Sequence, residues 1–179
     1  MRLFAGIELD AATRATCVGA QDKLRSADFD ARFEAAEKLH VTLAFLGKVE
    51  EPQRKDVEDV LHSVARVHTA FTLTLDKLGA FPNERRPRIV YVGSRDAGPA
   101  YRTIAVNLRA ALAALGFSFE ADAVAHVTVA RIKGGSRRPL PMFDLAPASL
   151  PVSELVLFES LPFEGSTRYA PRARYSLAQ

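Results

Sequence analysis

His40-Val41-Thr42-Leu43 returns 86 residues later as His126-Val127-Thr128-Val129, and each copy lies in an apolar run. Successive side chains of a β-strand point to opposite faces. His and Thr at i and i+2 therefore project together, while Val41 and Leu43, or Val127 and Val129, project the other way into a core. With four histidines and nine threonines in the chain, a single His-x-Thr is expected roughly 0.2 times by chance. A matched pair with matching apolar neighbours is far rarer. Two such pairs across a groove bring together two imidazoles that titrate near neutrality and two hydroxyls. Cleavage of a phosphodiester uses that equipment. One imidazole takes a proton from the attacking water, the other gives one to the departing oxygen, and the hydroxyls hold phosphoryl oxygens.

Outward from the motifs, the first copy predicts a strand over Leu39 to Leu46, closed by Gly47, and the second a strand over about Ala125 to Ile132. Before the first copy, Leu3, Ala5, Ile7 and Leu9 alternate as a central strand. Asp10 then suits the N-cap of a helix from Ala11 to about Ser26. Between the copies, Pro52 opens a helix that carries Val57, Val60, Leu61, Val64 and Val67 to about His68. His62 and His68 read as residues of its exposed face and C-terminal end. Phe71 to Leu78 alternates as one strand, Pro82 to Pro87 is an Arg-bearing turn, and Ile89 to Val92 returns. Gly98-Pro99 opens a further helix that Gly116 stops. After the second copy comes an irregular segment from Gly134-Gly135-Ser136 to Pro147, then strands at Leu155 to Phe158 and Tyr169 to Leu177. The motif spacing, close to half the chain, fits an α+β fold of two lobes related by a pseudo-twofold duplication, antiparallel sheet inside and helices outside, with a central cleft. Residues 1–179 are expected to form one such two-lobed domain.

Composition narrows the class. At 48% hydrophobic and 25% charged residues the chain reads as globular, and no stretch reaches the roughly 18 apolar residues of a membrane span. A lone Cys17 leaves no internal disulfide and no cysteine zinc site, which points to a reducing cytoplasm. The whole net charge of +3 falls in the second half. There Arg131, Lys133, Arg137 and Arg138 follow the second motif without an intervening acid, a placement that favours a polyanionic substrate.

The chain resembles the two-histidine phosphoesterases, and within them the bacterial and archaeal RNA 2′,3′-cyclic phosphodiesterases, also called 2′-5′ RNA ligases. The likeness rests on Arg2-Leu3-Phe4-Ala5, Leu39 to Gly47, Phe71 to Leu75, His126 to Arg131 and Thr167-Arg168-Tyr169-Ala170-Pro171. The resemblance implies hydrolysis of a 2′,3′-cyclic phosphate to a 2′-phosphomonoester without metal or cofactor, with His40 as proton donor and His126 as proton acceptor. It further implies phosphate binding by Thr42, Thr128 and Arg131, a nucleobase against Phe45, and Tyr169 in the cleft wall. Strict alternation puts Arg131 on the face opposite His126, so that role needs a strand end, a bulge or the reach of its side chain. The expected partners are RNA ends or cyclic nucleotides, handled by a monomer in the cytoplasm.

Three other readings compete. One is a small-nucleotide cyclic phosphodiesterase, for example on an ADP-ribose cyclic phosphate. A second is a non-catalytic RNA-binding module that uses Arg131 to Arg138. The third, a metal held by the histidines with Asp122 or Glu120, is disfavoured because a threonine rather than further ligands separates each histidine from the rest of its motif.

Overall fold

The computed structural model describes residues 1–119, 122–134 and 136–179; Glu120 and Gly135, each part of an expectation above, lie outside the described residues. The chain runs β1 (Arg2–Glu8), α1 (Ala11–Ser26), β2 (Arg32–Phe33), a 3-10 turn (Ala36–Lys38), β3 (His40–Lys48), α2 (Glu51–Val67) and β4 (Phe71–Leu75). It continues through β5 (Lys77–Phe81), β6 (Ile89–Gly93), α3 (Gly98–Ala113), β7 (His126–Arg131), β8 (Ala148–Val152), β9 (Glu154–Phe163) and β10 (Ser166–Ser176). Among the described residues, three α-helices and two antiparallel sheets make an α+β fold.

The helices begin and end where local chemistry dictates. The Asp10 carboxylate accepts the Thr13 backbone N–H at 2.8 Å, satisfying a donor that the first turn of α1 leaves free. Pro52 sits in the first turn of α2, where a missing N–H costs nothing. Gly116 takes a φ of +93 just beyond α3, a conformation that glycine adopts without strain.

The large sheet has the order β10-β9-β1-β3-β7-β6-β5, with β2 paired to β7. The motif strands β3 and β7 are neighbours at its centre, joined antiparallel through Val41 and Val127. One face of the sheet and the helices enclose the main core, which includes Leu3, Ile7, Leu24, Leu43, Leu61, Ile104, Leu108 and Val127. On the other face, Phe4, Val156 and Phe158 form a small buried cluster with Tyr169 against it. β1 therefore has its interior residues buried on both faces, as its apolar run predicts. Gly6 of β1 cannot carry a side chain, because a Cβ there would lie 2.5 Å from the Val41 carbonyl oxygen.

Several boundaries differ from the sequence-based expectation. Phe71 to Leu78 is two strands in different sheets, split at Asp76, whose N–H bonds Gly93 and whose carboxylate accepts the Arg95 N–H. The strand β8 was hidden by Pro151, which a two-stranded sheet tolerates because it has free edges. β3 runs through Gly47, at φ +69, to Lys48 rather than stopping there. The last two strands are longer than expected and form a hairpin joined by Glu164 and Gly165, both at positive φ, the pair of conformations that a tight two-residue turn requires.

Candidate active site

Both motif strands break their alternation at the same place. In β3, Ala5 pairs with Ala44 and Gly6 with Thr42, so Leu43 has no partner on β1. In β7, Val90 pairs with Ala130 and Tyr91 with Thr128, so Val129 is likewise passed over. Each strand consequently buries two successive residues, Leu43-Ala44 and Val129-Ala130, and then returns the next side chain to the face of the motif. That side chain is Phe45 in one strand and Arg131 in the other. The bulge is what brings Arg131 to the His126 face, where strict alternation would exclude it.

A bulge leaves backbone groups without their ladder partners, and here helices supply them. The Leu43 carbonyl accepts Arg109 Nε of α3 at 2.8 Å. The Val129 carbonyl accepts Gln21 Nε2 of α1 at 2.9 Å and the Glu34 N–H at 3.0 Å. Gln21 is one of the few buried polar side chains among the described residues, and this bond accounts for it.

The imidazoles are oriented by one rule. His40 Nδ1 lies 2.6 Å from the Lys38 carbonyl and His126 Nδ1 lies 2.8 Å from the Val124 carbonyl, in each case two residues back along the chain. A carbonyl can only accept, so both rings carry their proton at Nδ1 and present Nε2 to the site. His40 Nε2 is 2.9 Å from Thr42 Oγ1. Because Val41 opposes Val127 in an antiparallel pair, His40 sits across from Thr128 and Thr42 across from His126.

These residues line a cavity of about 490 Å³ together with Phe45, Arg131 and Tyr169, so every sequence-predicted site residue is brought to one place. The sequence reading missed Arg2, Phe4, Glu34, Lys38, Ser160, Pro162 and Thr167, which also face it. Glu34, with its side chain 11% exposed, bonds Arg131 Nε at 2.8 Å and lies 3.5 Å from Lys38 Nζ. Lys38 Nζ in turn donates to Thr167 Oγ1 of the β9–β10 hairpin and lies 5.0 Å from the centre of the Tyr169 ring. Phe4 lies within the alternation of β1, but no periodic pattern announces the others, because each belongs to a turn, a strand end or a hairpin wall.

The two rings have different surroundings. His40 lies 4.8 Å from the Phe4 ring and edge-on to Tyr169 at 5.1 Å. His126 meets Phe81 and Tyr91 edge-on at 5.2 and 5.4 Å. Burial lowers the pKa of both imidazoles below the usual histidine value, since a charged ring loses hydration there. The carbonyl bonds oppose that shift in both, the Glu34 carboxylate opposes it at His40, and the Arg131 charge reinforces it. Burial thus biases both rings toward the neutral form, and at His40 the Glu34 carboxylate works against that bias.

A second cavity adjoins the first on the far side of Phe45 and His126, with Phe81, Phe119, Arg109 and Asp122 in its walls. Asp122, weighed above as a metal ligand, is there. Among the described residues no group of three His, Cys, Asp or Glu side chains is placed to hold a metal ion. Also among them, no helix is long and apolar enough to cross a membrane. His62 is exposed on α2 and His68 caps its end, bonded to Asn107 Nδ2 at 3.1 Å, both away from the motif residues as the sequence suggested.

Comparison with known proteins agrees with this geometry. Residues 7–91 match the model of the LigT-like phosphoesterases. The RNA 2′,3′-cyclic phosphodiesterase of Methanothermobacter thermautotrophicus is 33% identical over 138 residues, covering 77% of this chain and 74% of that protein. The protein of the same name from Escherichia coli is 32% identical over 184 residues, 99% of this chain and 97% of its own. The crystal structure of Escherichia coli LigT in its apo form superposes with a TM-score of 0.83 at 30% identity, covering 99% of this chain and 98% of that one. The likeness spans both motif strands and the helices whose side chains hold their bulges, and by it this chain belongs to the family of LigT-like, two-histidine phosphoesterases.

Proposed function

We propose that this protein is an RNA 2′,3′-cyclic phosphodiesterase that opens the cyclic phosphate to a 2′-phosphomonoester by paired general acid and base catalysis. The observation that carries the reading is the convergence of two imidazole Nε2 atoms and two threonine side chains in one cavity. Water attacks phosphorus as His126 Nε2 removes its proton. The bond from phosphorus to O3′ breaks, and His40 Nε2 delivers a proton to that oxygen. The products are a 3′-hydroxyl and a 2′-phosphate, and the two histidines have exchanged protonation states. Thr42 and Thr128 bind the non-bridging oxygens, Arg131 adds positive charge, and Phe45 and Tyr169 flank the nucleoside.

Glu34 favours this direction of proton flow, because its carboxylate supports the protonated form of His40. A bound phosphodiester carries negative charge and further opposes the effect of burial on both rings. The same groups can join RNA ends without ATP: an RNA 5′-hydroxyl takes the place of water in the attack on the cyclic phosphorus, the bond to O3′ breaks with a proton delivered to that oxygen, and a 2′-5′ phosphodiester forms. We take the protein to be a single two-lobed, monomeric domain working in the cytoplasm, a setting that suits its buried, unpaired Cys17.

The test is the product formed from a nucleoside 2′,3′-cyclic phosphate, assigned by phosphorus NMR. The 2′-phosphate is expected. A 3′-phosphate, or no turnover, overturns the reading.

A further inference from the structure

Beyond the catalytic cavity and the one that adjoins it, the end of the sheet carries a further concave surface that the proposed chemistry leaves unused. A depression of about 530 Å³ lies between the β5–β6 turn and the loop after β7, lined by Arg86, Arg88, Gly134, Ser136 and Arg137. All three arginines are exposed. Some arginines of the molecule, Arg25, Arg54, Arg95, Arg102, Arg131, Arg172 and Arg174, reach a carboxylate, and others, such as Arg2, Arg32 and Arg66, reach none among the described residues. Arg86, Arg88 and Arg137 form no ion pair among the described residues.

The surface is held in shape by backbone bonds. The Asn83 side chain accepts the N–H groups of Arg85 and Arg86 at 3.1 Å each, which fixes the turn. The loop after β7 is latched to that turn by Ser136 N–H to the Pro87 carbonyl at 2.9 Å and Leu140 N–H to the Glu84 carbonyl at 2.7 Å. A third latch, Ile132 N–H to the Arg88 carbonyl at 2.8 Å, falls one residue after Arg131. Arg131, which lines the catalytic cavity and is paired with Glu34, directly precedes this latch in the chain, so the arginines of the depression lie past the end of the strand that carries it. Three cations kept together without counter-charges repel one another. Phosphate groups of a flexible strand relieve that repulsion, and guanidinium groups bind them in fork geometry.

We infer that Arg86, Arg88 and Arg137 form a binding track for the phosphodiester backbone of the RNA strand that leads to the cyclic end. The inference rests on the function proposed above. A 2′,3′-cyclic phosphate terminates the 3′ end of a strand, so the rest of the polymer leaves the cavity from the 5′ side of the terminal nucleoside. The track makes this protein an enzyme that prefers oligomers to mononucleotides, and it acts through charge rather than sequence.

The test compares the intact protein with an Arg86→Ala/Arg88→Ala/Arg137→Ala variant and with the corresponding triple Lys variant. Two substrates are used, a single-stranded RNA decamer ending in a 2′,3′-cyclic phosphate and adenosine 2′,3′-cyclic phosphate. The Ala variant is expected to lose at least tenfold in kcat/KM on the decamer, mostly through KM, with the mononucleotide changed less than twofold. The Lys variant recovers most of the loss. The log-log salt dependence of decamer binding flattens by about 2, at roughly 0.7 per neutralised phosphate on a single strand. Equal losses on both substrates, or no loss on either, overturn the track. Binding of the decamer, followed by fluorescence anisotropy, keeps the two readings apart. If the intact protein hydrolyses neither substrate the proposed function fails, while loss of decamer affinity in the Ala variant still supports the track and unchanged affinity refutes it.

Discussion

The half-site on β3 and the half-site on β7 share a skeleton and differ in what surrounds it. Each has His-x-Thr on one face, a bulge at the next residue, a helix side chain bonded to the bulged carbonyl, and a backbone carbonyl that fixes the imidazole proton at Nδ1. The surroundings break that likeness. His40 has Phe4, Tyr169, its own Thr42 and the Glu34 carboxylate as neighbours, whereas His126 meets Phe81 and Tyr91, and no acid among the described residues raises its pKa. The fold delivers two similarly held imidazoles to one cavity, and in the proposed mechanism a few side chains outside the motifs separate the acid from the base. On the proposed mechanism, the direction of proton flow depends on Glu34 and the rings, and the reaction itself depends on the skeleton.

The most severe way to break the comparison is to remove either ring. His40→Ala and His126→Ala are each expected to lower kcat by about 10²- to 10⁴-fold, the range for a general acid or base, when steady-state turnover of a cyclic nucleotide is measured. The threonines come next. On the proposed mechanism Thr42→Val and Thr128→Val each remove a hydrogen bond to a charged phosphoryl oxygen, for an expected loss of roughly tenfold or more in kcat/KM. They should differ in kind. Thr42 also bonds His40 Nε2, so its loss alters the pH profile, while Thr128→Val leaves the shape of the profile intact.

Loss of a bulge support probes the skeleton itself. Gln21→Leu strips a buried donor from the Val129 and Glu34 carbonyls and is expected to cost about 1–3 kcal/mol of stability in denaturant unfolding. Its effect on activity falls on steps that use Arg131 more than on those that use Phe45. The smallest change touches only the asymmetry. Glu34→Gln removes the carboxylate that favours protonated His40, so the His40 pKa drops further below its usual value. The acid form is then lost at a lower pH. The alkaline limb of the kcat/KM profile moves toward acid, and the acid limb, set by neutral His126, stays.

Much of the skeleton was legible in the sequence, because a period of two within apolar runs is a local signal. His40, Thr42, His126 and Thr128 are found from it directly. The bulges were not legible, since a register shift exists only relative to a partner strand, here β1 and β6. For Arg131 the sequence left three routes to the cavity open, a strand end, a bulge or the reach of its side chain, and only the pairing with β6 shows that it is the bulge. The asymmetry was invisible. Glu34 follows a two-residue strand, Lys38 ends a 3-10 turn, and Ser160, Pro162 and Thr167 lie in the part of the final hairpin where Pro162, Glu164 and Gly165 interrupt any pattern. Gln21 looked like an ordinary polar residue of an amphipathic helix, and only the position of the Val129 carbonyl shows why it is buried.

The division of labour between the two imidazoles is tested most directly with a nucleoside 2′,3′-cyclic phosphate whose O3′ is replaced by sulfur, because a departing thiolate needs no proton. The account predicts that His40→Ala regains most of its lost rate on this substrate while His126→Ala stays as impaired as on the natural one. Equal recovery of both variants, or recovery of His126→Ala alone, would contradict it.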